Sequence, residues 1–336
     1  MGEEYVDEFL RGFVLLARRF IIGLIAVTVL LSPVASERAL GFSSEQAGFT
    51  IKFKDEISPY RVIAVFSLPE EKIMIEAIPH DSHASYSFTA RKGALRKIGR
   101  YRWLWKAPGE RGVYEGKLIG QPGYHCITVN FFVMVPFTNL RGQYLNGYRI
   151  GKYPDTPLHF LPSHRPPRGF IEVTEENEDI MVSPHFTLKQ FVCNQDGGFP
   201  KYVVLRERLV LKLEHILEEV NKHGYRCDTF HIMSGYRTPY YNELLGNVKH
   251  SMHLWGGAAD IFIDETPRDG MMDDLNKDGR IDWRDAHILY DIIGNMYGRK
   301  SYKPFVGGLA RYEKTACHGP FVHVDVRGKR ARWGLK

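Results

Sequence analysis

The chain has no C-x-x-C pair, no internal repeat and no low-complexity tract. Its four cysteines (Cys126, Cys193, Cys227, Cys317) are therefore not spaced for a cysteine zinc cluster. Strong charge of one sign is also missing: 45 Lys and Arg stand against 39 Asp and Glu, a net charge of +6. That balance permits an anionic polymer or membrane surface as partner but argues for neither, and it gives no footing for a nucleic-acid partner. What remains is an ordinary globular composition, 25% charged and 44% apolar. At 336 residues it is long enough for two modest domains.

The N-terminus is the one region with a long apolar run. Arg18 and Arg19 precede FIIGLIAVTVLL (Phe20 to Leu31), and the small residues of SPVAS follow. This fits a secretory signal over residues 1–36 with cleavage near Ser36. The run is short for a full span, but the preceding FVLLA lengthens it, so an uncleaved membrane anchor is the alternative. Either reading sends the remaining chain out of the cytoplasm, to the periplasm or cell envelope, where disulfides can form. Cys193 and Cys227 flank one helix and are the preferred pair; four free thiols are the alternative.

Residues 44–156 read as a β-rich domain. TIKFKD, YRVIAVFSL, KIMIEAI and ITVNFFVMVPF are rich in Val, Ile, Phe and Thr and are broken by Pro, Gly and Asp. WKAPGERGVYEGKLIG suggests the edge and corner of an immunoglobulin-like sandwich. ARKGALRKIGRYRWLWK interleaves basic and aromatic residues. It could grip an anionic glycan or lipid head group, but a solvated basic face on a strand pair is the simpler reading.

Proline-rich PLHFLPSHRPPRG and acidic EVTEENED make residues 157–182 a linker. The domain over 183–336 is α+β. LRERLVLKLEHILEEVNKHG places Leu205, Leu209, Leu213, Ile216, Leu217 and Val220 at helical spacing, with Gly224 as the stop and His215 and His223 on the surface. Thr238-Pro239 starts a second helix, Thr capping and Pro in the first turn. DTFHIMS, AADIFID and FVHVDV are strands.

AADIFID poses a problem. A carboxylate in an apolar strand costs several kcal/mol unless something pairs with it. A zinc ion would supply the pairing, with His253 and Asp260 as ligands and Gly256, Gly257, Ala258 and Ala259 letting the chain turn back closely. A catalytic zinc takes three protein ligands and leaves one position open. The third candidate is His323, which alternation puts on the same strand face as Phe321 and Asp325.

Taken in order, Ser234-Gly235-Tyr236-Arg237, then Ser251-Met252-His253-Leu254-Trp255-Gly256-Gly257-Ala258-Ala259-Asp260, then Phe321-Val322-His323-Val324-Asp325 resemble the zinc D-Ala-D-Ala peptidases. That group includes lysostaphin-type enzymes and the hedgehog signalling domain. The resemblance covers about Ser183 to Trp333 and implies zinc on His253, Asp260 and His323. It also implies that Arg237 holds substrate and helps the developing oxyanion, with Ser251 beside the substrate. Several relatives carry an acid three residues before the last histidine, where this chain has Pro320. Others carry a histidine five before it, here His318. His318 or Asp325 is therefore the candidate general acid/base, and Asp325 could instead support a ligand histidine.

DLNKDGRIDWRD adds a second candidate ion site over residues 274–285. Asp274, Asn276, Asp278, Gly279, Ile281 and Asp285 meet the EF-hand loop pattern, with the Arg280 carbonyl and Asp282 as further donors. No clear helix enters it, so it resembles a single dockerin-type calcium loop that braces the fold. Its twelfth position is Asp rather than Glu.

The expected protein is thus an α+β, hedgehog/D-Ala-D-Ala-peptidase-like zinc domain behind a β-sandwich. Its expected activity is hydrolysis of peptidoglycan stem peptides or cross-links. The rival is a catalytically silent zinc-containing wall-binding or structural module.

Overall fold

In the computed structural model, residues 41–81, 83–123, 125–155 and 161–334 are described. The expected export segment, 1–36, lies outside them. Among the described residues no helix is long and apolar enough to cross a membrane.

The front of the chain forms nine strands: β1 (Gln46–Phe53), β2 (Glu56–Tyr60), β3 (Val62–Ser67), β4 (Lys72–Ile78), β5 (Ser85–Ala90), β6 (Ala94–Gly99), β7 (Arg102–Lys106), β8 (Gly112–Gln121) and β9 (His125–Val133). They build a five-stranded sheet, β2-β1-β4-β7-β6, and a four-stranded sheet, β3-β9-β8-β5. All pairs are antiparallel except β3 with β9. Alternation explains the layering. Phe49, Ile51 and Phe53 of β1, Trp103 and Trp105 of β7, and Val129 and Phe131 of β9 share one core. Trp105 stacks on Phe131 at 3.9 Å and donates its indole N–H to the Lys92 carbonyl at 2.8 Å. GVYEGKLIG, expected at an edge, is the interior strand β8.

β3 and the C-terminal end of β9, Phe131 to Val133, are apolar at consecutive positions, and both faces are buried there. Ile63 and Val65 face the sandwich, whereas Ala64, Phe66, Phe132 and Met134 join a second core. The described residues from Phe42 onward consequently fall into one compact unit. Two expected boundaries shift. After β10 (Val135–Pro136) comes the hairpin β11 (Tyr144–Leu145) and β12 (Tyr148–Arg149), whose Leu145 and Tyr148 belong to the second core. The expected linker contains β13 (Gly169–Val173) and β14 (Met181–Ser183), with Phe170, Ile171 and Val173 buried. Only the turn between them is a solvated acidic connection.

The second part continues with β15 (Phe186–Thr187), β16 (Lys201–Val203), α1 (Glu207–Lys222), β17 (His231–Ser234), α2 (Pro239–Leu244), β18 (Ala258–Phe262), α3 (Trp283–Met296), β19 (Gly308–Tyr312), β20 (Phe321–Asp325) and β21 (Ala331–Trp333). β13 pairs with β10 and β16, and β14 with β15. The main sheet runs β17-β18-β20-β19-β21. β19 and β21 have no counterpart among the expected strands. Thr238 caps α2, its hydroxyl accepting from the Tyr241 N–H at 3.0 Å. α1 buries its apolar face as its periodicity predicts, and Gly224 follows it at φ +85°. His223 is exposed, but His215 is half-buried against the rings of Tyr302 and Phe305.

All four cysteines are free thiols, so the expected Cys193–Cys227 bridge is not formed. The Cys227 thiol donates to the Thr229 carbonyl at 3.3 Å instead, and Cys193 lies 3.8 Å from the Gln195 side-chain oxygen.

Candidate metal centre

β18 and β20 pair antiparallel with Asp260 directly opposite His323. Opposed residues project to the same face of a sheet, which brings these two side chains together. His253 arrives from a 3-10 turn, Met252–Trp255, that ends at Gly256 with φ +60°. A Cβ at Gly256 would lie 2.2 Å from the Val204 carbonyl oxygen, so only glycine lets the turn pack this closely before β18 begins.

The three side chains are buried, and their potential ligand atoms form the one such group of His, Cys, Asp and Glu found among the described residues. His253 Nε2 is 3.2 Å from His323 Nδ1 and 3.3 Å from Asp260 Oδ1, and His323 Nδ1 is 2.8 Å from Asp260 Oδ1. A tetrahedral zinc bound at about 2.0–2.1 Å needs ligand atoms about 3.3 Å apart. The outer nitrogens are tied in the sense a metal requires. His253 Nδ1–H donates to the Gly235 carbonyl at 2.6 Å, and His323 Nε2–H points at Asp325 Oδ2 at 3.4 Å. In the neutral form that a metal ligand requires, these contacts would leave both inner nitrogens with lone pairs for the ion.

The electrostatics agree. Burial lowers the pKa of His253 and favours the neutral, ligating form, against the pull of Asp260. Burial would raise the Asp260 carboxyl, yet His253 and His323 hold it well below its ordinary value. Burial also opposes charge on His323, but hydrogen bonds to Asp260 and Asp325 outweigh it and raise its pKa. The pocket favours positive charge between Asp260 and His323, and the donor set fits a zinc ion.

Arg237 donates through Nη2 to Asp260 Oδ2 and through Nε to the Ser234 hydroxyl at 2.7 Å. Nη1 makes no hydrogen bond among the described residues. Ser251 is buried and opens the His253 turn, its carbonyl accepting from the Leu254 N–H at 3.1 Å. His318 stands outside the ligand group: Nδ1 meets the Gly319 carbonyl at 2.8 Å and the ring packs edge-on against Phe321. Asp325 is fully buried and fully engaged, taking the Gly308 N–H at 2.7 Å and the Arg327 guanidinium. Sequence reasoning passed over Arg327, Trp333, whose ring lies 5.2 Å from that of His323, and Lys212, which donates to the Asp325 carbonyl at 2.7 Å. Only Arg327, two residues beyond Asp325, carried a local signal.

In the 274–285 loop the acidic side chains bind their own backbone. Asp274 accepts from the Asp278 and Gly279 N–H groups, and Asp278 from Arg280 N–H. The Asp278 N–H also reaches Asn276 Oδ1. Asp282 caps α3, and buried Asp285 takes the N–H groups of Leu275, Asn276 and Asp282.

Two candidate ligands on one sheet face, a third from the adjoining 3-10 turn, and an arginine on the second oxygen of the carboxylate make a group that could hold a metal ion. Residues 184–279 match the Peptidase M15 family, a stretch that includes His253 and Asp260. That stretch is similar to a Peptidase M15 domain, and the buried His-Asp-His group, completed by His323 beyond it, is consistent with a zinc site. No curated protein and no solved structure matches the chain.

Proposed function

We propose that the protein is an exported zinc peptidase that hydrolyses bonds in peptidoglycan stem peptides, with cross-link endopeptidase activity favoured over trimming of a terminal D-Ala. The observation that carries this reading is the convergence of His253 Nε2, Asp260 Oδ1 and His323 Nδ1 within 2.8–3.3 Å. When bound there, zinc would lower the pKa of a water ligand and polarise the scissile carbonyl. Arg237 fixes Asp260 and keeps Nη1 free for a substrate carbonyl oxygen. Asp325 is read as the support of His323, because each of its oxygens already accepts from a donor. His318 then remains the candidate to carry the proton to the leaving amine. It would have to turn from the Gly319 carbonyl to do so.

The test combines metal content with digestion of purified sacculi. The intact protein should hold about one zinc per chain, and His253→Ala, Asp260→Ala and His323→Ala should each lose it. Zinc-loaded protein should release stem-peptide fragments, and chelator should stop the release. His318→Ala should keep zinc while losing about two to four decades of turnover. Zinc binding without any release would favour the silent wall-binding module, a reading supported by Pro320 at the place where several relatives carry an acid.

The nine strands in two facing sheets support an immunoglobulin-like fold, which would position the peptidase on a polymer. The N-terminal segment would export or tether the chain. The loop formed by Asp274, Asn276, Asp278, Arg280, Asp282 and Asp285 would hold calcium as a brace, supported by its ligand spacing and by Gly279 at φ +82°. Calcium should then raise the melting temperature of the intact protein, but not that of Asp274→Ala/Asp278→Ala. Equal melting of the intact protein with and without calcium would remove this part alone.

A further inference from the structure

We propose that the cavity where the β-sandwich meets the start of α1 is a second binding site, for a small organic anion bearing a carboxylate or phosphate group. The cavity measures about 380 Å³, within the range of small-molecule sites. Trp255 lines it, together with the polar side chains of Lys54, Arg165, Arg168, Arg206 and Glu207. None of the three zinc-ligand candidates lines it.

The charges do not cancel. Four cations face one carboxylate, and that carboxylate is already engaged: Glu207 Oε1 takes Lys54 Nζ at 2.5 Å and the Phe66 N–H at 3.1 Å. Arg168 is paired with Glu71 at 2.9 Å, outside the lining. Arg165 and Arg206 have no carboxylate partner among the described residues. Arg165 is exposed, whereas Arg206 is half-buried and held by two carbonyls, those of Trp255 at 2.8 Å and Ser163 at 2.9 Å. Carbonyls satisfy its N–H groups without neutralising its charge. Burial accordingly pushes Arg206 down to about 10. A guanidinium in this position is costly until an anion joins it, and its remaining edge suits a carboxylate or phosphate oxygen. Phe66, Met134, Pro166 and Pro167 supply apolar wall, which favours an organic body over a bare ion.

The site adjoins the turn that carries His253. Trp255 follows His253 by two residues, and the Arg206 N–H donates to the Gly256 carbonyl at 3.0 Å. A ligand on Arg206 would therefore press on the turn that delivers His253.

The experiment is a titration of zinc-loaded, full-length protein with inorganic phosphate and, separately, with glucuronate, followed through the Trp255 indole N–H in NMR spectra. The signal should move saturably with at least one probe. The apparent Kd should rise at least fivefold in Arg165→Ala, a surface change that leaves the fold alone, and in Arg206→Met. Response to phosphate alone assigns a phosphate ligand, and response to glucuronate alone a carboxylate. A Trp255 signal that ignores both probes, or that moves identically in wild type and Arg165→Ala, overturns the proposal. The readout is binding, so it stands or falls separately from peptidase activity.

Discussion

Asp325→Asn separates a residue that holds a ligand from one that carries protons. The native side chain is fully buried. Its Oδ1 accepts from the Gly308 N–H at 2.7 Å and from the Arg327 N–H and Nε at 3.0 Å. Its Oδ2 accepts from Arg327 Nε at 2.8 Å and from His323 Nε2 at 3.4 Å. Every neighbour is a donor. Asparagine keeps the volume but replaces one acceptor oxygen with a donor, so an N–H must face an N–H. A buried donor stripped of its acceptor costs about 1–3 kcal/mol. If the stripped donor is His323 Nε2–H, zinc affinity should fall about 10–100-fold, or about 1.4–2.7 kcal/mol. Competition against a chromophoric chelator measures the affinity, and melting of the metal-free proteins measures the stability. The pH dependence has a definite sign. Burial would raise the Asp325 carboxyl, but His323 and Arg327 hold it far below its ordinary value. Its contribution is therefore fully present above the unfolded pKa of about 3.9 and is lost progressively as pH falls from there toward the far lower folded value. The melting gap between wild type and variant should be constant from about pH 7 to pH 5 and should narrow on going from about pH 5 to pH 3. Wild-type zinc affinity in the variant, or a gap independent of pH, would refute the role given to Asp325.

Lys212 is fully buried, and burial lowers its pKa to about 7. The unfolded chain then binds more protons between that value and about 10.4, so stability rises with pH across this window, by on the order of 5 kcal/mol in all. Lys212→Met should raise the melting temperature at pH 6.5 and lose that advantage by pH 10; a constant offset would contradict the assignment. Gly256→Ala meets the Val204 carbonyl at 2.2 Å in a left-handed backbone and should cost more than about 3 kcal/mol in chemical denaturation. Near-native stability would mean that the turn before β18 is not held as described. In thiol labelling, exposed Cys317 should react first, Cys193 and Cys227 only on unfolding, and all four in denaturant. A titration that stops at two would show that a disulfide forms after all.

By itself the sequence determined the local pieces of this protein. Apolar spacing predicted α1, Thr238-Pro239 predicted the start of α2, and short apolar runs predicted β17, β18 and β20. The acid inside AADIFID, too costly to bury alone, already pointed to Asp260 as a ligand. Those signals are local because helical period, strand alternation and capping act over a few residues. The tertiary structure alone decided the rest. The β-prone runs that became β3 and β9 did not say that a second face would join the peptidase core and absorb part of the expected linker. FVHVD placed His323 and Asp325 on one face, while only the opposition of β20 to β18, and the Gly308 and Arg327 donors, fixed Asp325 beneath His323 and left His318 outside the ligand group. Cys193 and Cys227 looked pairable from their flanking of one helix, yet each thiol lies buried beside a different oxygen. Lys212 was invisible for the same reason. Its meaning comes from the Asp325 carbonyl, more than a hundred residues away along the chain, and such a contact exists only once the layers have packed.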